Sequence, residues 1–398
     1  MVCGVLVTEI ELSLMDLLGG HLKPDPIYRA SSVLETHGKE VAEHVSSFEA
    51  RHVDAIKDLV EREGIDCDFE KTKVHDVCFY DAGQKQTEAT LARLVQAGIS
   101  TAKVVQCLSG MEAEKVSGVK GALSCLTYNA ARLWPYKMVA HLLENAISGG
   151  VHLQTFTPVT GVSSAPADAK DHRWFVQTPR GAVKTDNVIY ATNGYTSALV
   201  PEMKDKIVPV RGMVARLAGP DAPKLKDSYL MRFSEHEYDY MIPRPDGSIV
   251  LGGARRDFFK TLDEWFDVTD DSKLMEGARG YFDGYMQRHF LGWEDSGVST
   301  EEIWTGIMGY SNDGFPYVGP VPGRSGQYMC AGFTGHGMPQ IFLSAKAMAT
   351  TVLKGDTEEV DLPLPYRISE ARWAEPKAHA SLMAWQRFRD SEPARAVL

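Results

Sequence analysis

The sequence has no excess of basic residues. Its 53 aspartates and glutamates outnumber its 42 lysines and arginines, and the formal net charge is −11 at pH 7. Proteins that bind nucleic acid usually carry a basic balance or a basic stripe, and anionic membrane surfaces attract polybasic segments. We therefore expect neither nucleic acid nor a membrane as a partner.

Metal-binding and membrane-spanning patterns are also missing. The six cysteines include no C-x-x-C pair, so we predict no zinc, dithiol or other metal site. No apolar run reaches the roughly 18 residues that a membrane helix needs. The apolar N-terminal stretch is interrupted by Glu9 and Glu11 and follows no basic residue, unlike a signal peptide. These features predict a cytoplasmic protein with reduced thiols.

Hydrophobic periodicity predicts three long helices. Apolar residues at helical spacing indicate helices over 41–63, 133–148 and 340–353. Gly64, and Gly149 with Gly150, are typical of helix ends. The residues 261–292 also look helical.

Strand signals fill much of the remaining sequence. The run Val2–Val7 predicts a buried strand, and several strands are expected between 151 and 192 and between 207 and 253. Strands that alternate with helices, next to an antiparallel block, predict an α/β sheet and a second, β-rich domain.

A glycine-rich turn at residues 332–337, GFTGHG, joins a predicted strand to the helix at 340–353. Its three glycines bring backbone N–H groups close to the start of that helix, where negative charge is favoured. A single turn of this kind is also common where no ligand binds, so the pattern alone decides nothing.

The residues around this turn carry a family resemblance. GFTGHG is preceded by D-G-x-P-x-x-G-P at 313–320, and together they resemble the C-terminal flavin-binding signature of the D-amino-acid-oxidase-like amine oxidases. That family includes sarcosine oxidases, glycine oxidase and γ-glutamylputrescine oxidase. The runs NVIYATNG and IVPVRG, at 187–194 and 207–212, are similar to its A-T-x-G and P-x-R-G strands, and GGHLKPD at 19–25 resembles its N-G-G element.

The resemblance implies an α/β (α+β) fold. An FAD/NAD(P)-binding Rossmann-like domain, incomplete at its N-terminus, would carry an inserted antiparallel β-rich substrate domain. Residues 1–72, 131–206 and 300–360 would form the discontinuous FAD-binding-like domain, 73–130 and 207–299 the substrate domain, and 361–398 a C-terminal tail draped over the surface.

The resemblance also implies non-covalent FAD, because the cysteine that tethers flavin in some relatives has no counterpart near 306–308. The implied cofactor-binding residues are Gly19, Gly20, Val159, Ala191, Thr192, Asn193, Gly194, Gly332, Phe333, Thr334, Gly335, Gly337 and Met338.

The chain departs from the family pattern in two places. Family members begin with a strand, a G-x-G-x-x-G turn and a helix, but the eighteen residues before Gly19 contain one glycine, Gly4, and no such turn. Val2–Val7 could fill the strand position left vacant. The lysine that activates oxygen in sarcosine-oxidase-like enzymes corresponds to Val250 here.

Four residues are candidates for catalysis, each with a structural alternative. His21 lies in the element expected near the flavin ring, or is a solvated turn residue. Arg255 could clamp a carboxylate with its planar guanidinium, as could its neighbour Arg256, or the two could balance a surface acid. Tyr240 could donate a hydrogen bond or simply pack, and His336 would position the cofactor.

Three functions are open at this point. The first is an FAD-dependent oxidoreductase that acts on the CH–NH bond of a small amine or amino acid. The second is a flavin-free relative that uses the old cavity for a cyclisation, an isomerisation or small-molecule binding. The third is a non-catalytic partner subunit. A small molecule is the expected partner in the first two, and a homo-oligomer stays open.

The missing G-x-G-x-x-G turn predicts weak FAD binding. Each charge-assisted hydrogen bond lost at the pyrophosphate costs roughly 1.5–3 kcal/mol, and about 1.4 kcal/mol is a tenfold change in affinity. Protein purified without added flavin should therefore show much less than one FAD per chain when absorbance at the flavin bands is compared with that at the protein band. One tightly held FAD per chain would contradict this prediction.

Overall fold

The fold is described from a computed structural model that covers residues 5–7 (backbone), 19–164, 173–220, 222–355, 360–376 and 378–391. Its strands are β1 Val5–Val7, β2 His21–Leu22, β3 Glu70–Cys78, β4 Gln106–Ser109, β5 Ser124–Arg132, β6 His152–Gln154, β7 Gly161–Ser164, β8 Trp174–Thr178, β9 Gly181–Thr185, β10 Val188–Tyr190, β11 Ile207–Ala218, β12 Ser228–Arg232, β13 Tyr238–Pro243, β14 Ile249–Gly252, β15 Ser299–Ser311, β16 Tyr317–Pro320 and β17 Gln327–Ala331.

The helices of the described residues are α1 Tyr28–His37, α2 Lys39–Glu63, α3 Asp81–Ala97, α4 Met111–Ser117, α5 Pro135–Ser148, α6 Thr196–Leu199, α7 Arg255–Phe258, α8 Tyr285–His289, α9 Ile341–Lys354, α10 Glu370–Ala374 and α11 Ala380–Ser391. Helices α2, α5 and α9 confirm the three long helices predicted from periodicity. Helix α2 ends at Gly64, which has a left-handed backbone with φ of 63°. Glycine adopts this conformation with little strain, whereas other residues do not.

The largest sheet has nine strands in the order β15-β11-β14-β13-β12-β3-β5-β2, with β4 also beside β5. Its pairs are antiparallel except β12 with β3. Successive residues of one strand enter different cores: Leu230 joins the cluster around Phe48, and Met231 joins the cluster around Trp293. Because side chains alternate across a strand, the middle of this sheet is buried on both faces.

A smaller sheet brings two of the flavin-type segments together. Strands β10 and β17 are parallel neighbours, with Val188 opposite Gln327, and β16 pairs with β17. The conjectured strand at the N-terminus is present over Val5–Val7, but it pairs in parallel with β6 and not with this sheet. Residues 187–194 and 328–336 therefore converge, as two parts of one domain should.

One predicted domain boundary, at residue 300, does not agree with the pairing of the strands. Strand β15 starts at Ser299 and pairs with β11 along nearly its whole length, so 299–311 lies in the large sheet and not with β10 and β17. The pairing of β2 places part of 1–72 in the same sheet. The division of the chain into two domains otherwise stays a prediction.

The helix predicted over 261–292 is wrong for most of its length. Only the short turns Leu262–Glu264 and Glu276–Ala278 and the five-residue α8 are helical. Gly277, Gly280 and Gly284 disfavour a continuous helix, and Gly284 has φ of 65°. The large apolar side chains that suggested a helix are buried from separate turns instead.

The prediction that 361–398 is a tail draped over the surface is also wrong for its described part. Tyr366 is fully buried, Phe388 is 5% exposed, and His379 is 7% exposed. The sequence looked polar because these apolar residues are widely spaced among charged ones. The C-terminal segment is part of the packed structure.

Substituting Gly20 should test how tightly β2 is fitted against β5. Gly20 has φ of +67°, and a Cβ there would lie 1.8 Å from the backbone oxygen of Leu133. Gly118 has a similar φ, +68°, with nothing within 4 Å of its Cβ position. Gly118→Ala should cost about 1–2 kcal/mol of unfolding free energy, and Gly20→Ala several more, because a backbone atom must move.

Denaturant unfolding of both variants measures this difference. Equal losses for Gly20→Ala and Gly118→Ala would show that the Leu133 carbonyl yields easily and that the contact is not a constraint.

Candidate functional site

The candidate site is a cavity of about 430 Å³, a size typical of small-molecule sites. Its walls come from β2 and the segment after it, from strands β11, β12, β13 and β15, from α7, from the turn between β17 and α9, and from α11. The structure brings all four catalytic candidates to this cavity: His21, Tyr240, Arg255 and His336.

The glycine-rich turn supplies one wall. Thr334, Gly335, Gly337 and Met338 line the cavity. Thr334 has a left-handed φ of 54°, and its N–H donates to the Gly309 oxygen at 2.7 Å, which fixes the turn on β15. Within the described residues the N–H groups of Gly335, Gly337 and Met338 have no hydrogen-bond acceptor. The turn therefore presents a set of free donors to the cavity, just before α9.

The other residues predicted to bind cofactor do not line this cavity, and their role stays a prediction. They are Gly19, Gly20, Val159, Ala191, Thr192, Asn193, Gly194, Gly332 and Phe333.

Asn193 braces the glycine turn from behind. Its side-chain oxygen accepts from the N–H groups of Gly332 at 3.0 Å and Phe333 at 3.3 Å. A Cβ at Gly309 would lie 2.6 Å from that same oxygen, and a Cβ at Gly194 would lie 3.0 Å from the backbone oxygen of Met308. The A-T-x-G loop is thus fitted closely between β15 and the turn.

Glu49 is a buried carboxylate that the sequence did not single out. Its Oε2 lies 3.0 Å from Nε2 of His336, and its Oε1 accepts from Nε2 of Gln340 at 2.8 Å. The guanidinium of Arg29 lies 3.3 Å away, and the Tyr366 hydroxyl donates at 3.3 Å. Glu49 therefore holds His336 in place at the cavity wall.

The surroundings of Glu49 keep it ionised. Burial alone would raise its pKa, but His336 and Arg29 outweigh burial and lower the pKa to about 2. A signal for Glu49 was present in the sequence: it is a charged residue on the face of α2 that also carries Val45 and Phe48. A charge on a buried helix face is rarely retained without partners.

His21 is a neutral imidazole in the cavity wall. Its Nε2 lies 2.9 Å from the Ser228 hydroxyl, and the side chain is buried. Burial lowers the pKa of His21 well below its usual value, and the positive charges of Lys23 and His336 lower it further. A neutral imidazole offers a ring nitrogen as a hydrogen-bond acceptor.

Arg255 faces the cavity without an acidic partner. Its Nη2 donates to the Tyr310 hydroxyl at 3.2 Å, and its guanidinium lies 4.3 Å from the ring centre of Tyr238 and 5.4 Å from that of Phe259. Among the described residues no carboxylate lies within 4.0 Å of it. Arg256, the other residue considered as a clamp, does not line the cavity.

The turn that carries Arg255 is held by Asp239. Ala254 has a left-handed φ of 63°, and its N–H donates to Asp239 at 3.0 Å. The hydroxyls of Tyr281 and Tyr285 donate to the other carboxylate oxygen. Burial raises the pKa of Asp239 to about 6, although these donors oppose the rise. Sequence reasoning missed Asp239, which has no local motif.

Tyr240 fills space that two glycines leave open. A Cβ at Gly252 would lie 2.3 Å from its ring, and a Cβ at Gly19 would lie 3.0 Å from it. Burial raises the pKa of its hydroxyl, so Tyr240 stays protonated. Gly19 thus has a packing role in the described structure.

The cavity fits the ring end of FAD. The free N–H groups of Gly335, Gly337 and Met338 lie where an electron-rich ring edge would accept hydrogen bonds, and the start of α9 favours negative charge. Among the described residues no group of three or more histidine, cysteine or acidic side chains could hold a metal ion.

Replacing Glu49 by glutamine should destabilise the fold. The change leaves Arg29 and His336 without their carboxylate, which costs about 3–5 kcal/mol for a buried pair. The control is Glu61→Gln on the same helix, whose exposed pair with Lys57 is screened by water and salt and should contribute little. Denaturant unfolding at pH 7 measures both.

The pH dependence gives a second check on Glu49. Its pKa falls from an ordinary 4.5 to about 2 on folding, so its ionisation stabilises the fold above about pH 4.5. The difference between wild type and Glu49→Gln should shrink as the pH falls from 4.5 towards 2. A constant difference across that range would contradict an ionised Glu49.

Known proteins are similar to this chain in sequence and in fold. Residues 27–351, most of the chain, match the DAO family, described as FAD dependent oxidoreductase. A glycine oxidase from Pseudomonas aeruginosa is 27% identical over 194 residues, which are 48% of this chain and 48% of that protein. The match thus spans about half the length of that relative.

Solved structures have a similar fold over most of this chain. Glycine oxidase from Geobacillus kaustophilus superposes with a TM-score of 0.72 at 17% identity and covers 92% of this chain and 91% of its own. L-amino acid deaminase from Proteus vulgaris gives a TM-score of 0.68 at 13% identity and covers 93% and 91%.

These matches confirm the α/β fold with an FAD-binding Rossmann-like domain that the sequence predicted. No helix among the described residues has the length and apolar character needed to cross a membrane. The resemblance first indicated by GFTGHG is confirmed across the matched residues. The chain belongs to the DAO family of FAD-dependent oxidoreductases.

Proposed function

We propose that this chain oxidises the CH–NH bond of a small amino acid with FAD as the hydride acceptor. One observation carries the proposal: a single cavity has free backbone donors on one wall and an arginine without an acidic partner on another. The donors suit the flavin ring, and the arginine suits a carboxylate. A CH–NH bond between these two sites would lie beside the ring.

The reaction requires the amine nitrogen in its neutral form. FAD supplies the acceptor for the hydride that leaves the α-carbon, and the substrate departs as an imine. The ammonium proton must be lost before this step, and the imidazole of His21 can then accept a hydrogen bond from the neutral amine, since burial keeps the ring unprotonated. His336, held by Glu49, stays at the turn and orients the ring.

Arg255 would orient the substrate by its carboxylate. A guanidinium offers two parallel N–H donors to a carboxylate, which fixes direction as well as distance. Its stacking on Tyr238 and its contact with Tyr310 keep it in one orientation. The proteins named glycine oxidase and L-amino acid deaminase support an amino acid as the substrate class.

A flavin-free function is the second candidate. It is supported by the same cavity, because an arginine and apolar walls suit a small carboxylate whether or not a flavin is bound. The cavity would then bind or rearrange a small carboxylate without electron transfer.

Anaerobic mixing with FAD distinguishes the two candidates. Protein supplied with excess FAD is mixed with glycine, sarcosine, L-proline, L-phenylalanine and D-alanine, and bleaching of the flavin absorption is followed. Amine oxidation predicts bleaching by at least one of them. If none of the five bleaches the flavin of a protein shown to hold FAD, the proposed oxidation fails for these substrates, and a protein that takes up no FAD even when it is supplied in excess supports the flavin-free function.

Replacing Arg255 by glutamine tests the carboxylate clamp. The concentration of amino acid for half-maximal bleaching rate should rise about 10- to 100-fold, the effect of losing a charge-assisted pair. The decarboxylated amine that corresponds to the best substrate should react equally well with both proteins. Arg256→Gln is the matched control, since that side chain does not line the cavity.

Equal losses for the amino acid and its amine would remove Arg255 from carboxylate binding. A loss of the same size in Arg256→Gln would point to a general disturbance of α7.

A further inference from the structure

Helix α11 forms part of the cavity although it lies beyond the family match, which ends at residue 351. Ala380, Ser381 and Ala384 line the cavity. Residues at these spacings share one face of a helix. The helix therefore turns three small side chains to the ligand space.

Two aromatic residues fix α11 against the site. The indole N–H of Trp385 donates to the backbone oxygen of Phe259, and Phe388 packs edge-on against the Phe259 ring with centroids 5.7 Å apart. Just before the helix, Nε2 of His379 lies 2.9 Å from the backbone oxygen of Tyr310. These anchors lie on the same face of α11 as Ser381 and Ala384, and they attach that face to residues of the cavity wall.

Phe259 and Tyr310, to which α11 is attached, also hold Arg255. Its guanidinium lies over the Phe259 ring, and its Nη2 donates to the Tyr310 hydroxyl. A carboxylate bound to Arg255 therefore places the rest of its molecule close to α11. Phe258, Trp265 and Met308 line the cavity as well, so this region is largely apolar.

We propose that Ala384 and Ser381 determine the size of the group attached to the bound carboxylate, and that this group is large and apolar. The proposal rests on the carboxylate site of the proposed function. Small side chains on α11 leave space that a larger residue would occupy, and apolar walls favour an apolar occupant by the area removed from water. An amino acid with a bulky aliphatic or aromatic side chain is the substrate class that fits.

Binding of two simple carboxylates, without turnover, tests the proposal. Calorimetric titration of the full chain with benzoate and with acetate should show tighter binding of benzoate by wild type. Ala384→Leu should weaken benzoate about tenfold, because overfilling a packed site is costly, and should change acetate by less than about twofold. Gln386→Leu, on the exposed side of α11, should change neither.

A second variant guards against misfolding. If Ala384→Leu does not give a folded protein by its thermal unfolding transition, Ser381→Val on the same face takes its place, with the same expected selectivity. Equal loss of benzoate and acetate, unchanged benzoate binding, or no preference for benzoate in wild type would each overturn the proposal.

The outcome stays separate from the proposed function. Size-dependent carboxylate binding without flavin bleaching by any amino acid would support the role of Ala384 and contradict amine oxidation. Bleaching that does not depend on the size of the amino acid side chain, with unchanged benzoate binding in Ala384→Leu, would support amine oxidation and contradict the role of Ala384.

Discussion

The buried carboxylate of Glu49 joins parts of the chain that are far apart in sequence. An ionised carboxylate without partners would cost several kcal/mol to bury, so α2 can pack only where Arg29, His336 and the Tyr366 hydroxyl reach it. These partners belong to α1, to the glycine turn and to the C-terminal segment. One electrostatic requirement therefore sets the relative positions of three cavity-forming parts.

The same principle determines where the cavity can attract an anion. Arg29 is neutralised by Glu49, and Arg232 forms a two-pronged pair with Asp76 at 2.7 and 3.0 Å. Arg255 is held by aromatic rings and a hydroxyl, which fix its direction, and among the described residues no carboxylate forms an ion pair with it. A chain with a net charge of −11 thus keeps a positive site inside.

Short sequence patterns predicted the features that depend on interactions between residues close together in the chain. The three long helices and the GFTGHG turn follow from periodicity and glycine placement, and the four candidate residues do meet at one cavity. Glu49 and Asp239 were missed because their partners come from distant segments that no short motif connects. The helix predicted over 261–292 failed because large apolar side chains can be buried from separate turns, and periodicity does not reveal which packing wins. The packed C-terminal segment was missed because its anchors, Trp385 and His379, donate to the backbone oxygens of Phe259 and Tyr310, and a backbone acceptor cannot be recognised from the residue type.

The attachment of α11 to those two backbone oxygens also orders the assembly of the molecule. Phe259 precedes α11 by more than a hundred residues, and Tyr310 lies in β15 at the edge of the nine-stranded sheet. The acceptors exist in their final positions only after that sheet has formed, and domains generally fold as synthesis proceeds from the N-terminus. The part of the cavity wall that α11 supplies therefore depends on the large sheet and cannot form without it.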